Sequence, residues 1–176
     1  MNNPRGVEYN HSATMRSRDG FYYADNAVLV GDLSIEPDVN IWYGTVLRGD
    51  DAPISIGAGT NLQDLTMVHA DPGKPLEIQE FVTIGHRAVI HCVEVGARSL
   101  IGMGAILMED VVVGPESLIA AGAVVSPGTV IPPRSLVRGV PGRVVRETSE
   151  AERASILRAS KKYVENAKEF FSRYGG

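Results

Sequence analysis

Three of the four histidines in this chain of 176 residues crowd into one stretch, at His69, His86 and His91. Imidazole is the side chain that offers a metal a neutral nitrogen donor near physiological pH. Three such donors with one position left open make a common catalytic zinc site. The spacing of the last two, in "IGHRAVIHC", argues against the simplest version of that site. A helix pairs ligands three or four residues apart, and a strand pairs them at even separations. His86 and His91 are five apart. If they cooperate, some other architecture must place them.

That architecture is written in a period of six. An aliphatic residue recurs at Ile35, Ile41 and Leu47, then at Ile56, Leu62 and Val68. The series continues through Ile78, Ile84, Ile90, Val95, Ile101 and Leu107, and on to Val113, Ile119, Val125, Ile131 and Val137. Glycine follows many of these positions. Neither a period of two nor one of 3.6 holds over such a length. A six-residue repeat is the signature of a parallel β-helix. Three repeats close one triangular coil, each aliphatic side chain points inward, and successive coils stack as parallel ladders. A β-sandwich of short strands gives no reason for a constant step of six.

The step breaks in three places. Extra residues enter at "RGDDAPIS" and "HADPGKP", and one residue is missing between Ile90 and Val95. Insertions in a solenoid leave the coil as loops and often mark its working face.

Grouping the repeats in threes places Leu47, Val68 and Ile90 in one column. The residues that follow them, Arg48, His69 and His91, then form an outward ladder. His86 lies on a different side of the triangle, with Asp64 beside it on the neighbouring coil. Within one chain His86 is not expected to reach the other two. In a cyclic trimer, unlike sides of neighbouring chains abut. Three histidines then converge at the interface, with Arg48, Asp50, Gln63 and Asp64 nearby. His11 is read as a surface residue.

The flanks differ from the repeat. Residues 1–20 are weakly patterned and are expected to form an N-terminal arm. The β-helix is expected over 21–146, and 147–176 reads as a helix packed on its side. Ser149 and Glu152 form a capping-box pattern. Ala154, Leu157, Val164, Ala167 and Phe171 recur at helical spacing and suggest its buried face.

Composition narrows the function. A formal net charge of -4 argues against an electrostatic nucleic-acid binder. No apolar run is long enough for a membrane span. A single cysteine and the lack of an apolar leader fit a cytoplasmic protein.

The segment "VLRGDDAPISIGAGTNLQDLTMVHAD", followed by "IGHRAVIHC", resembles the γ-class carbonic anhydrase family. The matching parts are Arg48-Gly49-Asp50, Asn61-x-Gln63-Asp64, His69, and Gly85-His86-x4-His91. The resemblance implies an all-β, left-handed parallel β-helix with a C-terminal helix, assembled as a homotrimer. It implies zinc, with iron or cobalt as alternatives, held by His69 and His91 of one chain and His86 of the next. The implied reaction is reversible hydration of carbon dioxide to bicarbonate by a metal hydroxide. Gln63 and Tyr163 are the implied catalytic side chains. Arg48, Asp50, Asn61 and Asp64 are the implied supports of the site and interface. The long acidic loop that carries a proton-shuttle glutamate in the archaeal type is absent, which leaves Asp51 as a partial substitute and catalytic efficiency open. Cys92 is expected to face outward beside the site. Two alternatives accompany this reading: an acyltransferase or CoA-thioester hydrolase on the same fold, and a metal-bound trimer with a scaffold role.

Overall fold

The computed structural model describes residues 14–175. Most of the expected arm, and His11 with it, lies outside the described residues. From Met15 the chain is a strand. β1 (Met15–Arg18) turns through Asp19-Gly20 and pairs antiparallel with β2 (Phe21–Ala24). β2 then begins the first parallel ladder by pairing with Asn40–Ile41.

From there the six-residue step builds three columns. The first runs Ile41, Leu62, Ile84, Ile101, Ile119, Val137. The second runs Leu29, Leu47, Val68, Ile90, Leu107, Val125. The third runs Ile35, Ile56, Ile78, Val95, Val113, Ile131. Almost all of these side chains are fully buried and belong to one core cluster. Parallel ladders of this kind bond many backbone N–H groups to the carbonyl one coil on, as in Gly85 N to Ile101 O at 2.8 Å.

The corners need small groups and tight backbone. Ala88, Ala105 and Ala123 turn inward at one corner, and Ser99, Ser117 and Ser135 at another. The serine hydroxyls there accept from the backbone of the next coil, Ser117 N to Ser99 Oγ and Ser135 N to Ser117 Oγ, both at 3.1 Å. Gly102 shows why glycine follows the inward aliphatic: a Cβ there would lie 2.4 Å from the Ala121 nitrogen.

Only the second insertion leaves the prism as a loop. The first, expected as a loop, is absorbed into one continuous strand, Val46–Ile56, whose pairing with Val28–Ile35 shifts register between Gly31 and Leu33. The ladder resumes beyond both, with Ile54 opposite Leu76 and Ile56 opposite Ile78. The missing residue has a consequence that corrects the sequence reading of Cys92. The shortened corner between Ile90 and Val95 draws the cysteine inward, where it is 2% exposed within the core. Burial pushes its thiol up to about 12, so it is neither a ligand nor a reactive group.

The last coil ends in an antiparallel pair, Ser135–Arg138 with Arg143–Glu147. Helix α1 (Glu150–Tyr174) follows, with the capping box of Ser149 and Glu152 formed in both directions. The helix lies on the side of the prism that carries the Ile41 column. Its buried face is Ile156, Ser160 and Ala167, with Tyr163 and Phe170 half-buried beside them. This differs from the expected face: Ala154 and Phe171 are exposed. The reason is that two polar residues sit on the packed face. Ser160 donates from Oγ to the Gly59 carbonyl at 2.8 Å, and Tyr163 meets Trp42 edge-on at 5.6 Å. A hydropathy pattern assigns neither residue to a core. Among the described residues no helix is long and apolar enough to cross a membrane.

The cap makes the helix start sensitive to acid. Hydrogen bonds from Arg146, at 2.8 and 2.9 Å, and then from Ser149 hold the Glu152 carboxyl down at about 2. A depressed native pKa stabilises the fold above the ordinary carboxylate value of 4.5, and the gain disappears as the pH falls towards 2. Glu152→Gln is therefore expected to melt at a lower temperature than the parent at neutral pH. The gap should close as thermal scans are moved to the acid end. A gap that persists unchanged at the lowest pH contradicts the assignment.

Candidate metal centre

The two insertions and the second column together shape one edge of the prism. Arg48, His69 and His91 follow Leu47, Val68 and Ile90, and the pairing sets Arg48 directly opposite His69. The His69 and His91 rings stack with centroids 5.2 Å apart and planes tilted by 42°. The first insertion folds its acids back onto this ladder. Arg48 donates from Nη1 to both oxygens of Asp50, at 2.8 and 2.7 Å, so this ion pair is made within one chain. The Arg48 hydrogen bond holds the Asp50 carboxyl below the usual range.

His69 is the most enclosed of the three histidines, its side chain only 12% exposed. Its Nε2 lies 3.2 Å from Asp51 Oδ2 and 3.4 Å from Asp50 Oδ1. Neither carboxylate meets hydrogen-bond geometry, so this buried nitrogen has no hydrogen-bond partner. A buried donor or acceptor left unpaired costs about 1–3 kcal/mol, so such an atom calls for a functional reason. Asp50, Asp51 and His69 bring their ligand atoms within 4.8 Å of one another. His91 is engaged elsewhere: its Nε2 lies 2.9 Å from Asp71 Oδ1, on the second insertion.

His86 stands on the adjoining side, two residues beyond Ile84. Its Nδ1 is 2.8 Å from Asp64 Oδ2 on the coil before. A carboxylate at this distance is the kind of support that orients a metal-binding imidazole. His69, His86 and His91 do not form a common cluster within the chain.

The other sequence candidates lie with His86 rather than with the stacked pair. Gln63 is 6% exposed and donates from Nε2 to Asn61 Oδ1 at 3.1 Å. Asn61 in turn donates to Thr83 Oγ1 at 2.9 Å, so the amide ladder is fixed from below. Tyr163 lines a cavity of about 510 Å³ between α1 and the prism, together with Trp42, Tyr43 and Asp64. Burial, and then the Asp64 charge, raise the Tyr163 hydroxyl above its ordinary value, so the phenol stays a hydrogen-bond donor at neutral pH. The residue that sequence reasoning did not join to the site is Asp71. It lies two residues beyond His69, but only the folded loop shows that it turns to His91.

The donors suit a divalent metal. Imidazoles with carboxylates beside them accept zinc, iron or cobalt, and the orphaned Nε2 of His69 is an atom such an ion would satisfy.

Residues 92–127 match the family model described as Bacterial transferase hexapeptide (six repeats). The protein named Carbonic anhydrase from Geobacillus kaustophilus is 44% identical over 144 residues, covering 82% of this chain and 79% of that one. Gamma carbonic anhydrase 2, mitochondrial, of Arabidopsis thaliana is 39% identical over 163 residues, 85% of this chain and 59% of that longer protein. Among solved structures, a hexapeptide transferase family protein from Anaplasma phagocytophilum superposes with a TM-score of 0.77 at 32% identity, over 89% of this chain and 98% of that one. The repeat, the left-handed β-helix it builds and these relatives lead to one assignment: the chain belongs to the γ-class carbonic anhydrase family.

Proposed function

We propose that the protein catalyses the reversible hydration of carbon dioxide to bicarbonate, with a metal ion shared between chains of a homotrimer. One observation carries this reading. His69 and His91 stack on one side of the prism, while His86 stands on another with its Nδ1 already committed to Asp64. A donor turned away from its companions is completed by a neighbour that presents the opposite side, which is what a cyclic trimer provides. Relatives named carbonic anhydrase support the reaction. A cytoplasmic location accompanies the proposal, in keeping with a single unpaired cysteine.

In this reading His69 and His91 of one chain and His86 of the next hold zinc, or iron or cobalt. Such an ion, when bound, supplies the Lewis acidity that brings a water's pKa to about 7. The chain's own residues do the rest. Asp64, with Oδ2 2.8 Å from Nδ1 of His86, is the carboxylate that would support this imidazole and favour Nε2 as the metal-facing nitrogen. Asn61 takes one hydrogen bond from the Gln63 amide, and the Gln63 carbonyl oxygen is left to orient a water or the bicarbonate hydroxyl. Tyr163, protonated at neutral pH, is a donor towards the cavity beside Asp64. Arg48 and Asp50 neutralise each other and brace the edge at which chains meet. Asp51, half exposed at the rim, is the carboxylate placed to pass a proton to buffer.

The test combines metal analysis with a stopped-flow assay of carbon dioxide hydration, after anaerobic purification. The parent is expected to carry about one metal ion per chain, and His91→Ala to lose both metal and hydration. A parent free of zinc, iron and cobalt, or a His91→Ala variant that hydrates carbon dioxide at the parent rate, sinks the proposal. Asp64→Ala probes the support of His86 separately. Loss of such a carboxylate typically weakens metal binding by about 10–100-fold, measurable by competition with a chelator. Undiminished affinity contradicts the role given to Asp64.

A further inference from the structure

We propose that Asp71 is a latch on the metal centre: in the metal-free chain it holds Nε2 of His91, and the metal takes that nitrogen in its place. The inference rests on the reading of His69 and His91 as ligands and concerns what guards the site before an ion arrives.

His69 and His91 occupy equivalent positions on successive coils, each directly after an inward residue of the same column. Equivalent positions on a parallel ladder direct side chains alike. At His69 the nitrogen that is buried and lacks a hydrogen-bond partner is Nε2. The matching atom of His91 is the one 2.9 Å from Asp71 Oδ1. An ion held by equivalent nitrogens of the stacked rings therefore needs the atom that Asp71 now holds.

The loop also holds Asp71 in place. The loop carrying Asp71 is closed by a turn in which Lys74 N donates to the Asp71 carbonyl at 3.0 Å, with Gly73 in the left-handed region at φ 72°. Lys74 then reaches Asp110 with Nζ, 2.6 and 2.7 Å from its two oxygens, which ties the loop to a later coil. Asp71 and His91 are both mostly enclosed, with side-chain exposures of 29% and 26%, so the contact is not a loose surface pair. With the latch closed, the donors that converge among the described residues are Asp50, Asp51 and His69, without His91.

A contact made only without metal stabilises the metal-free form and competes with the ion. Removing it has a signature opposite in sign to that of removing a ligand or a ligand's support. The test uses Asp71→Ala and Asp71→Asn in the full-length assembled protein, with zinc and cobalt ions as probes. For Asp71→Ala, zinc affinity by chelator competition is expected to rise about tenfold, the scale of one charge-assisted hydrogen bond. The melting temperature of the metal-free protein should fall while that of the metal-loaded protein stays put. The visible absorption bands of the cobalt form should be unchanged, because Asp71 is not a ligand once the ion is bound. Asp71→Asn keeps an amide oxygen facing His91 without the charge and should fall between parent and alanine. Affinity that drops or stays level in Asp71→Ala overturns the latch, as do altered cobalt bands. His91→Ala separates the two levels of inference: full zinc affinity in that variant removes the ligand reading itself, whatever Asp71 does.

Discussion

Ile41, Leu62, Ile84, Ile101, Ile119 and Val137 form one unbroken column of buried side chains, and two further columns complete the prism. Each coil can bury its aliphatic residues only against the coils above and below, so the step of six must be kept or its loss absorbed at a corner. That constraint decides where every other residue points. A residue directly after an inward aliphatic faces out, and it faces the same way as its counterpart one coil on. The stacking of His69 on His91, and the meeting of His86 with Asp64, are consequences of the columns rather than separate inventions of the site.

The working edge is made where the repeat is relaxed. Both insertions occur next to the His69 ladder, and both return carboxylates to it: Asp50 and Asp51 from the first, Asp71 from the second. The prism gives rigid, repeated positions for imidazoles, and the irregular strand and the loop give groups that a strict repeat could not supply. The helix adds a third source, setting Tyr163 against Trp42 above the side that carries Asp64 and His86. The buried Nε2 of His69 lies beside two carboxylates yet makes no hydrogen bond, which is not the arrangement that stability alone would favour. A leucine would fill that position without stranding a polar atom.

Much of this was legible in the sequence because a period is a statement about space. Once the extra residues after Arg48 and His69 are set aside, the columns follow, and with them the neighbours of each histidine. What the period could not show lies where it fails. Cys92 sits at the shortened corner, and only the folded chain shows that the lost residue turns it inward. The helix was foreseen with its cap, but its buried face was not, because Ser160 and Tyr163 pack there through a hydrogen bond and an aromatic edge. The approach of Asp71 to His91 was not legible, since loop conformation follows from the turn at Gly73 and the tether of Lys74 to Asp110 rather than from any repeat. The Arg48–Asp50 pair, implied only as a support of the site, closes within one chain across the two-residue step from Arg48 to Asp50.

The central claim is that one metal centre draws on two chains. Its most direct measurement is the metal content of trimers assembled from a mixture of His86→Ala and His91→Ala chains, refolded together with zinc. Neither variant alone should bind the ion. Random mixing in equal amounts pairs an intact His69–His91 edge with an intact His86 edge at roughly one interface in four, so about a quarter of the parent's metal should return. Mixed assemblies as empty as the separate variants, or full metal binding by either variant alone, would contradict the account.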